Sequence, residues 1–214
     1  EKMVEEALAS QFEVEAVYRI GDVTEAEMAQ MTMLSSPSPA LAVVRIPDSC
    51  DADGLASRMT EGHSLCLALD SVRDPGNLGT IIRIADWFGI DAIFASEDTV
   101  ELYNPKVLQA TMGAIFRRKV VYCDLPRTLR QFREAGLPVW GKFLDGADIY
   151  KETLSKEGVI VMGSESFGIG AACAAEVTDR LYIPPYPRDA SGSESLNVAI
   201  ATAVTCALFR ASAR

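Results

Sequence analysis

At 214 residues the chain is long enough for one large domain or a domain with an appendage; with 49% apolar and 23% charged residues it is an ordinary globular composition with a substantial core. A net charge of −10 argues against a broadly basic nucleic-acid-binding surface, because phosphate contacts need Lys and Arg. The charge-free run Ser195–Phe209 is shorter than the ~20 residues of a membrane span and contains Ser, Asn and Thr, so it reads as a buried helix and not a membrane anchor.

The opening at Glu1, with no initiator Met and no secretory pattern, fits a fragment. Residues 1–47 read as part of a small α/β unit: helix over Glu1–Ser10, strand over Glu13–Ile20, helix over Thr24–Met33 and strand over Leu41–Ile46. Thr24 and Glu27 have capping-box spacing. The polar stretch 48–62, with DSCDADG inside it, reads as a linker.

From Ser64 the texture changes to strands alternating with helices. Leu65–Leu69 is a continuous apolar strand, followed by a turn at Asp74-Pro75-Gly76. Leu78, Ile81, Ile82, Ala85 and Phe88 then form one helical stripe. Strands are expected at Ala92–Ala95, Val120–Tyr122, Val139–Phe143, Val159–Met162 and Leu181–Ile183. Helices are expected at Pro105–Phe116, Arg127–Glu134, Gly170–Glu176 and Ser193 to about Ala211. The pattern predicts an α/β fold with a parallel sheet covered by helices on both faces.

Five isolated cysteines, Cys50, Cys66, Cys123, Cys173 and Cys206, have no paired metal spacing and read as free thiols of a reducing cytoplasm. His63 is the only histidine and reads as a surface residue. Arg117, Arg118 and Lys119, and Arg127, Arg130 and Arg133, are candidates for a local basic strip, though each cluster alone reads as a solvated face.

Three segments each join a strand end, a glycine-bearing turn and a helix start: Asn77–Gly89, Val159–Gly170 and Leu181–Phe209. Loops of this kind at the ends of parallel strands can converge on one ligand. In the first, Asn77 can cap backbone N–H groups or reach a ligand, and Gly79 permits close backbone approach. Arg83 lies off the apolar stripe, placed either to bind a phosphate or to pair with Asp86 three residues on. In the second, Gly163, Gly168 and Gly170 do not match the dinucleotide fingerprint, and Glu165 between them would repel a pyrophosphate. An adenosine whose charge is not phosphate fits better. In the third, Ser193, Glu194 and Ser195 precede Leu196 and Asn197, and Asn197 falls in the first turn of a helix that is small or apolar on every side. Such a helix is buried in the core or in a subunit interface.

Together DPGNLGTIIRIADWFG, VIVMGSESFGIG and IPP…SESLNVAIATAV resemble the three ordered signature motifs of the SpoU/TrmH-type RNA 2′-O-ribose methyltransferases of the SPOUT superfamily, and NPKVLQATMGAIFR resembles the helix between the first two. The likeness spans roughly Leu65–Phe209. It implies a C-terminal deep trefoil knot, a domain over 63–214 and, at 1–47, the end of an L30e-like RNA-binding domain. It implies an S-adenosylmethionine site at Gly163, Ile183 and Leu196, and a homodimer with the active site near the interface. By the same carry-over Arg83 is the catalytic arginine, with Asn77, Glu165, Ser195 and Asn197 as polar companions. The implied activity is methyl transfer to a ribose 2′-hydroxyl of rRNA or tRNA, rRNA being favoured. A catalytically inactive knotted RNA-binding or assembly protein is the alternative, and a nucleotide-dependent oxidoreductase is disfavoured by the missing glycine fingerprint. The segment between Ile183 and Ser195 is longer and richer in Pro than the usual family loop and carries Arg188 and Asp189.

Overall fold

The structure is a computed structural model and describes residues 1–32, 36–188 and 194–211. Its first part holds α1 (Lys2–Leu8), β1 (Val14–Arg19), α2 (Glu25–Met31) and β2 (Ala40–Val44), with β1 and β2 paired antiparallel. The capping box forms: Thr24 Oγ1 accepts from Glu27 N–H at 3.3 Å and Glu27 Oε2 accepts from Thr24 N–H at 2.8 Å.

The second part is built on six parallel strands: β3 (Leu65–Leu69), β4 (Ile93–Ser96), β5 (Val120–Cys123), β6 (Val139–Asp148), β7 (Gly158–Met162) and β8 (Asp179–Tyr182). Their order across the sheet is β5-β4-β3-β7-β6-β8. Around them lie α3 (Ala52–Glu61), α4 (Pro75–Trp87), α5 (Pro105–Thr111), α6 (Leu125–Glu134), α7 (Ala171–Ala174) and α8 (Val198–Ala211). Alternate residues of β3 serve two cores. Leu65, Leu67 and Leu69 pack with residues of α4 and α8, while Cys66 and Ala68 pack with residues of α3, α6 and α7. A strand covered on both faces has no solvent side, which explains its unbroken apolar sequence. Among the described residues no helix is long and apolar enough to cross a membrane.

Four expectations need correction. The stretch 48–62, read as a linker, contains α3, whose Leu55 and Ala56 are buried; Asp53 pairs with Arg127 at 2.7 Å and accepts from Gln131 at 3.0 Å, both on α6. Its short apolar stripe was hidden among polar residues. The turn expected at Asp74-Pro75-Gly76 is the start of α4, with Pro75 in the first turn, where its missing N–H is harmless. The helix expected over Pro105–Phe116 breaks at Met112, which is left-handed at φ 51°, and resumes as a short 3-10 turn over Ala114–Phe116. The final helix starts at Val198, so Asn197 caps it; Ser193 and Asp189 lie outside the described residues.

Helix α4 packs closely on α5 because Gly79 lacks a side chain: a Cβ there would sit 2.4 Å from Ala110 Cβ and 2.8 Å from the Val107 carbonyl oxygen. Helices α4 and α8 run side by side in the same direction. Asn197 bonds Asn77 at one end, and Arg210 Nε donates to the Phe88 carbonyl at 2.7 Å at the other.

Candidate active site

The loops that follow β3, β7 and β8 all leave the same edge of the sheet, since every strand runs in one direction. At the first, Asp74 caps α4 by accepting the Asn77 N–H at 2.8 Å. The Asn77 side chain is therefore not the cap, and both ends of its amide reach across the chain. Its Nδ2 donates to Glu165 Oε1 at 2.8 Å, and its Oδ1 accepts from Asn197 Nδ2 at 2.9 Å. One residue from each of the three motifs thus meets in a single hydrogen-bonded row. Asn197 Oδ1 also accepts from Ala199 N–H at 2.9 Å, which ties the row to the start of α8.

A second tie was not foreseen. Asp70, buried at the end of β3, accepts the Gly170 N–H at 2.7 Å and so fixes the far side of the second loop. The signal available in the sequence was a carboxylate closing an otherwise apolar strand, LCLALD. Within that loop Ser164 and Gly168 exchange backbone hydrogen bonds at 2.9 and 3.0 Å. The closure is so tight that a Cβ on Gly163 would lie 2.1 Å from the Gly168 carbonyl carbon. Glycine at 163 is required by the loop's own backbone.

Arg83 projects from α4, exposed, with no ion pair or hydrogen bond among the described residues. The pairing with Asp86 does not occur, because Asp86 is taken by Arg117 at 2.8 Å and by Arg118 at 2.8 Å. The other basic cluster is likewise neutralised: Arg127 binds Asp53, while Arg130 and Arg133 bind Glu176 at 2.8 and 2.9 Å. Arg83 is left as an unclaimed guanidinium on the helix that carries Asn77. Ile183 is half-buried against the core on the α4 side, Leu196 is 45% exposed, and Ser195 is exposed without a hydrogen bond among the described residues.

Three of the thiols are held in their unreactive protonated form. Burial pushes Cys66, Cys173 and Cys206 up to about 12, and the Asp91 and Asp70 charges add to the effect at Cys66 and Cys173. Among the described residues no group of three or more His, Cys, Asp or Glu is placed to hold a metal ion. His63 is exposed and contacts Glu157 through Nδ1 at 2.5 Å. Two cavities of about 660 and about 1350 Å³ lie between the first 50 residues and the α5 region; Phe12, Met28 and Leu108 line the first, and Ile46, Leu102 and Tyr122 the second. The three loops line neither.

An open parallel sheet with polar groups gathered beyond the carboxyl ends of its strands defines an α/β protein of the kind that holds its ligand in that crevice. Residues 64–207 match the SpoU rRNA Methylase family, and the chain belongs to that family. It is 31% identical over 183 residues to the 23S rRNA (guanosine(2553)-2′-O)-methyltransferase RlmP of Bacillus subtilis, covering 85% of this chain and 68% of that protein. It is 34% identical over 172 residues to the 23S rRNA (guanosine-2′-O-)-methyltransferase RlmB of Xanthomonas campestris, covering 79% of this chain and 66% of that one. The chain spans between 50% and 68% of the length of the first three curated relatives it matches. Among solved structures it resembles a TrmH-family protein from Porphyromonas gingivalis, with TM-score 0.83, 34% identity and coverage of 97% and 86% of the two chains. It also resembles an AdoMet-bound rRNA methyltransferase from Sinorhizobium meliloti, with TM-score 0.85, 27% identity and coverage of 99% and 85%.

Proposed function

We propose that this protein transfers the methyl group of S-adenosylmethionine to a ribose 2′-hydroxyl of rRNA. The observation that carries the reading is the row Asn197–Asn77–Glu165 joining the three motifs, with Arg83 on the same helix as Asn77 and without a partner among the described residues. The residues present fit the donor. Glu165 disfavours a pyrophosphate ligand, and half-buried Ile183 and exposed Leu196 offer apolar contact to an adenosine. The two named relatives are 23S rRNA enzymes by their names, which favours rRNA over tRNA.

The donor brings a methyl carbon already activated by its sulfonium charge. The protein's work is alignment and handling of the hydroxyl proton. A guanidinium keeps its proton at any working pH. Arg83 therefore clamps the phosphate beside the target ribose and favours negative charge developing on the attacking oxygen. Asn77, Glu165, Ser195 and Asn197 hold the loops and the sugar in register with the cofactor contacts at Gly163, Ile183 and Leu196.

Three further features belong to this reading. The C-terminal part of the chain belongs to a deep trefoil knot in this reading; its support is that α8 packs on α4, near the sheet's middle, although the strand before it, β8, lies at the sheet's edge. Residues 1–47 are the end of an L30e-like RNA-binding unit, consistent with their paired strands and two helices, and residues 63–214 form the methyltransferase domain. Two copies associate through α8, whose Ile200 is 53% exposed, and through the end of α4, where Trp87 is 85% exposed. An rRNA substrate sets the place of work in the cytoplasm. The alternative of an inactive knotted RNA-binding protein is opposed by the intact polar row. Incubation with radiolabelled donor and rRNA from cells lacking the protein tests the activity, with ribose-methyl mapping to locate the product. Label appearing at a 2′-oxygen is expected; donor binding calorimetry that stays silent while NAD gives heat would overturn the reading.

A further inference from the structure

Lys142 lies in β6 at the level where the neighbouring strands end. Gly141 pairs with Val161, so Lys142 stands beside Met162, the last residue of β7, and it pairs with Leu181 of β8. Gly163 follows Met162 directly, and Ile183 lies two residues beyond Leu181. The face it occupies follows from alternation along the strand. Val139 belongs to the core under α6, and a Cβ on Gly141 would meet Val177 Cγ2 of that same side at 2.9 Å. Trp140 belongs to the opposite core, with Met162, Leu181 and residues of α8. Lys142 shares the face of Trp140. Alternation therefore puts Lys142 on the face of the sheet where α8 packs, close in register to Gly163 and Ile183.

Several arginines around the sheet are matched by carboxylates. Arg118 holds Asp86, Arg130 and Arg133 hold Glu176, and Arg180 holds Asp145 at 2.7 Å. Lys142 is half-buried and has no carboxylate or hydrogen-bond partner among the described residues. Burial alone draws its ammonium below the usual lysine range, with no neighbouring charge opposing the change. A desolvated cation without a counter-ion is unfavourable until an anion arrives. We propose that Lys142 receives the carboxylate at the amino-acid end of the methyl donor, an assignment that rests on the methyl-transfer reading. An RNA phosphate is the weaker match, because a phosphate on the surface is met by exposed cations such as Arg83 whereas Lys142 is half-buried on the strand face it shares with Trp140.

Two ligands separate this role from a structural one. S-adenosylhomocysteine carries the carboxylate, and 5′-methylthioadenosine keeps the adenosine and sulfur without it. Titration calorimetry of Lys142→Met is expected to show about tenfold weaker binding of S-adenosylhomocysteine, the size of one charge-assisted contact. Binding of 5′-methylthioadenosine should stay within about twofold of the unaltered protein, and Lys142→Arg should keep most of the affinity for both. Lys142→Gln is the second variant, so that poor folding of one substitution leaves the comparison standing. Equal weakening of both ligands overturns the proposal, as does unchanged S-adenosylhomocysteine affinity with weakened rRNA binding, which would assign the lysine to a phosphate. If the unaltered protein binds neither adenosine ligand, the methyl-transfer reading itself falls and takes this assignment with it.

Discussion

Asn197 and Asn77 stand 120 positions apart and share a hydrogen bond, Nδ2 to Oδ1, of 2.9 Å. That bond decides which way the Asn77 amide points. With Oδ1 engaged, only Nδ2 is left to face Glu165, and it donates there at 2.8 Å. Asn77→Asp keeps the size and the contact with Asn197 but sets a carboxylate against Glu165. Methyl transfer should fall by about tenfold or more, since a like-charge contact replaces a charge-assisted hydrogen bond. Asn77→Ala should do less harm than Asn77→Asp. Steady-state assays of the two variants check the order; the reverse ranking would mean that repulsion is not the cause.

Arg83 has no ion pair or hydrogen bond among the described residues, so its removal should leave folding and donor affinity unchanged. Arg83→Ala is expected to lower turnover by roughly a hundredfold, the scale of losing one donor to a developing oxyanion. Arg83→Lys should recover part of it, because a point charge replaces a planar fork. Single-turnover rates alongside donor titration test this; normal turnover in Arg83→Ala would remove the arginine from the chemistry.

Gly79→Ala puts a methyl group 2.4 Å from Ala110 Cβ at a fully buried helix contact. Overpacking of this sort destabilises by about 1–3 kcal/mol. Urea unfolding monitored by circular dichroism reads the change directly. A midpoint equal to that of the parent would show that α4 and α5 can separate without penalty.

Asp98 accepts hydrogen bonds from Arg73 at 2.9 Å, Ser96 at 2.7 Å and Ser71 at 3.0 Å, and these hold its carboxyl down to about 2 from an ordinary value of 3.8. A group held lower in the folded state stabilises fully above its unfolded value and loses that contribution as pH falls through the folded one. Stability should therefore drain between about pH 4 and pH 2. Asp98→Asn should flatten that part of the acid-unfolding profile. Identical slopes for parent and variant across this window would place the acid sensitivity elsewhere.

Ile200→Glu sets a charge on the exposed apolar side of α8 and keeps the backbone N–H that Ile200 donates to Asn197 Oδ1 at 3.3 Å. If α8 forms the subunit contact, sedimentation velocity should show monomer at concentrations where the parent is a dimer. Activity should fall in parallel.

The parallel sheet was legible because its strands are short apolar runs between helical stripes, and Leu65–Leu69 has no polar residue to break the pattern. The stripe of α4 was legible too, since Leu78, Ile81, Ile82 and Ala85 are all fully buried. Helix α3 was not, because only Leu55, Ala56 and a half-buried Met59 mark its inner face amid Asp, Ser, Arg and Thr. Nor was the interruption at Met112, where a residue with no special preference takes a left-handed conformation under tertiary constraint. For the site, motif order placed Asn77, Glu165 and Asn197 near one edge, but their mutual bonding needed side-chain directions. The fates of Asp86 and Glu176 depended on pairings 31 and 46 residues away, which local spacing does not encode.

The row of polar groups also sets a condition on when the protein can work. Its last member is residue 197, and the helix that residue caps is clasped at its far end by Arg210. A ribosome must therefore finish nearly the whole of this stretch before the other two motifs acquire their third companion. A polypeptide interrupted ahead of residue 197 would hold Asn77 and Glu165 without the side chain that fixes the direction of the Asn77 amide.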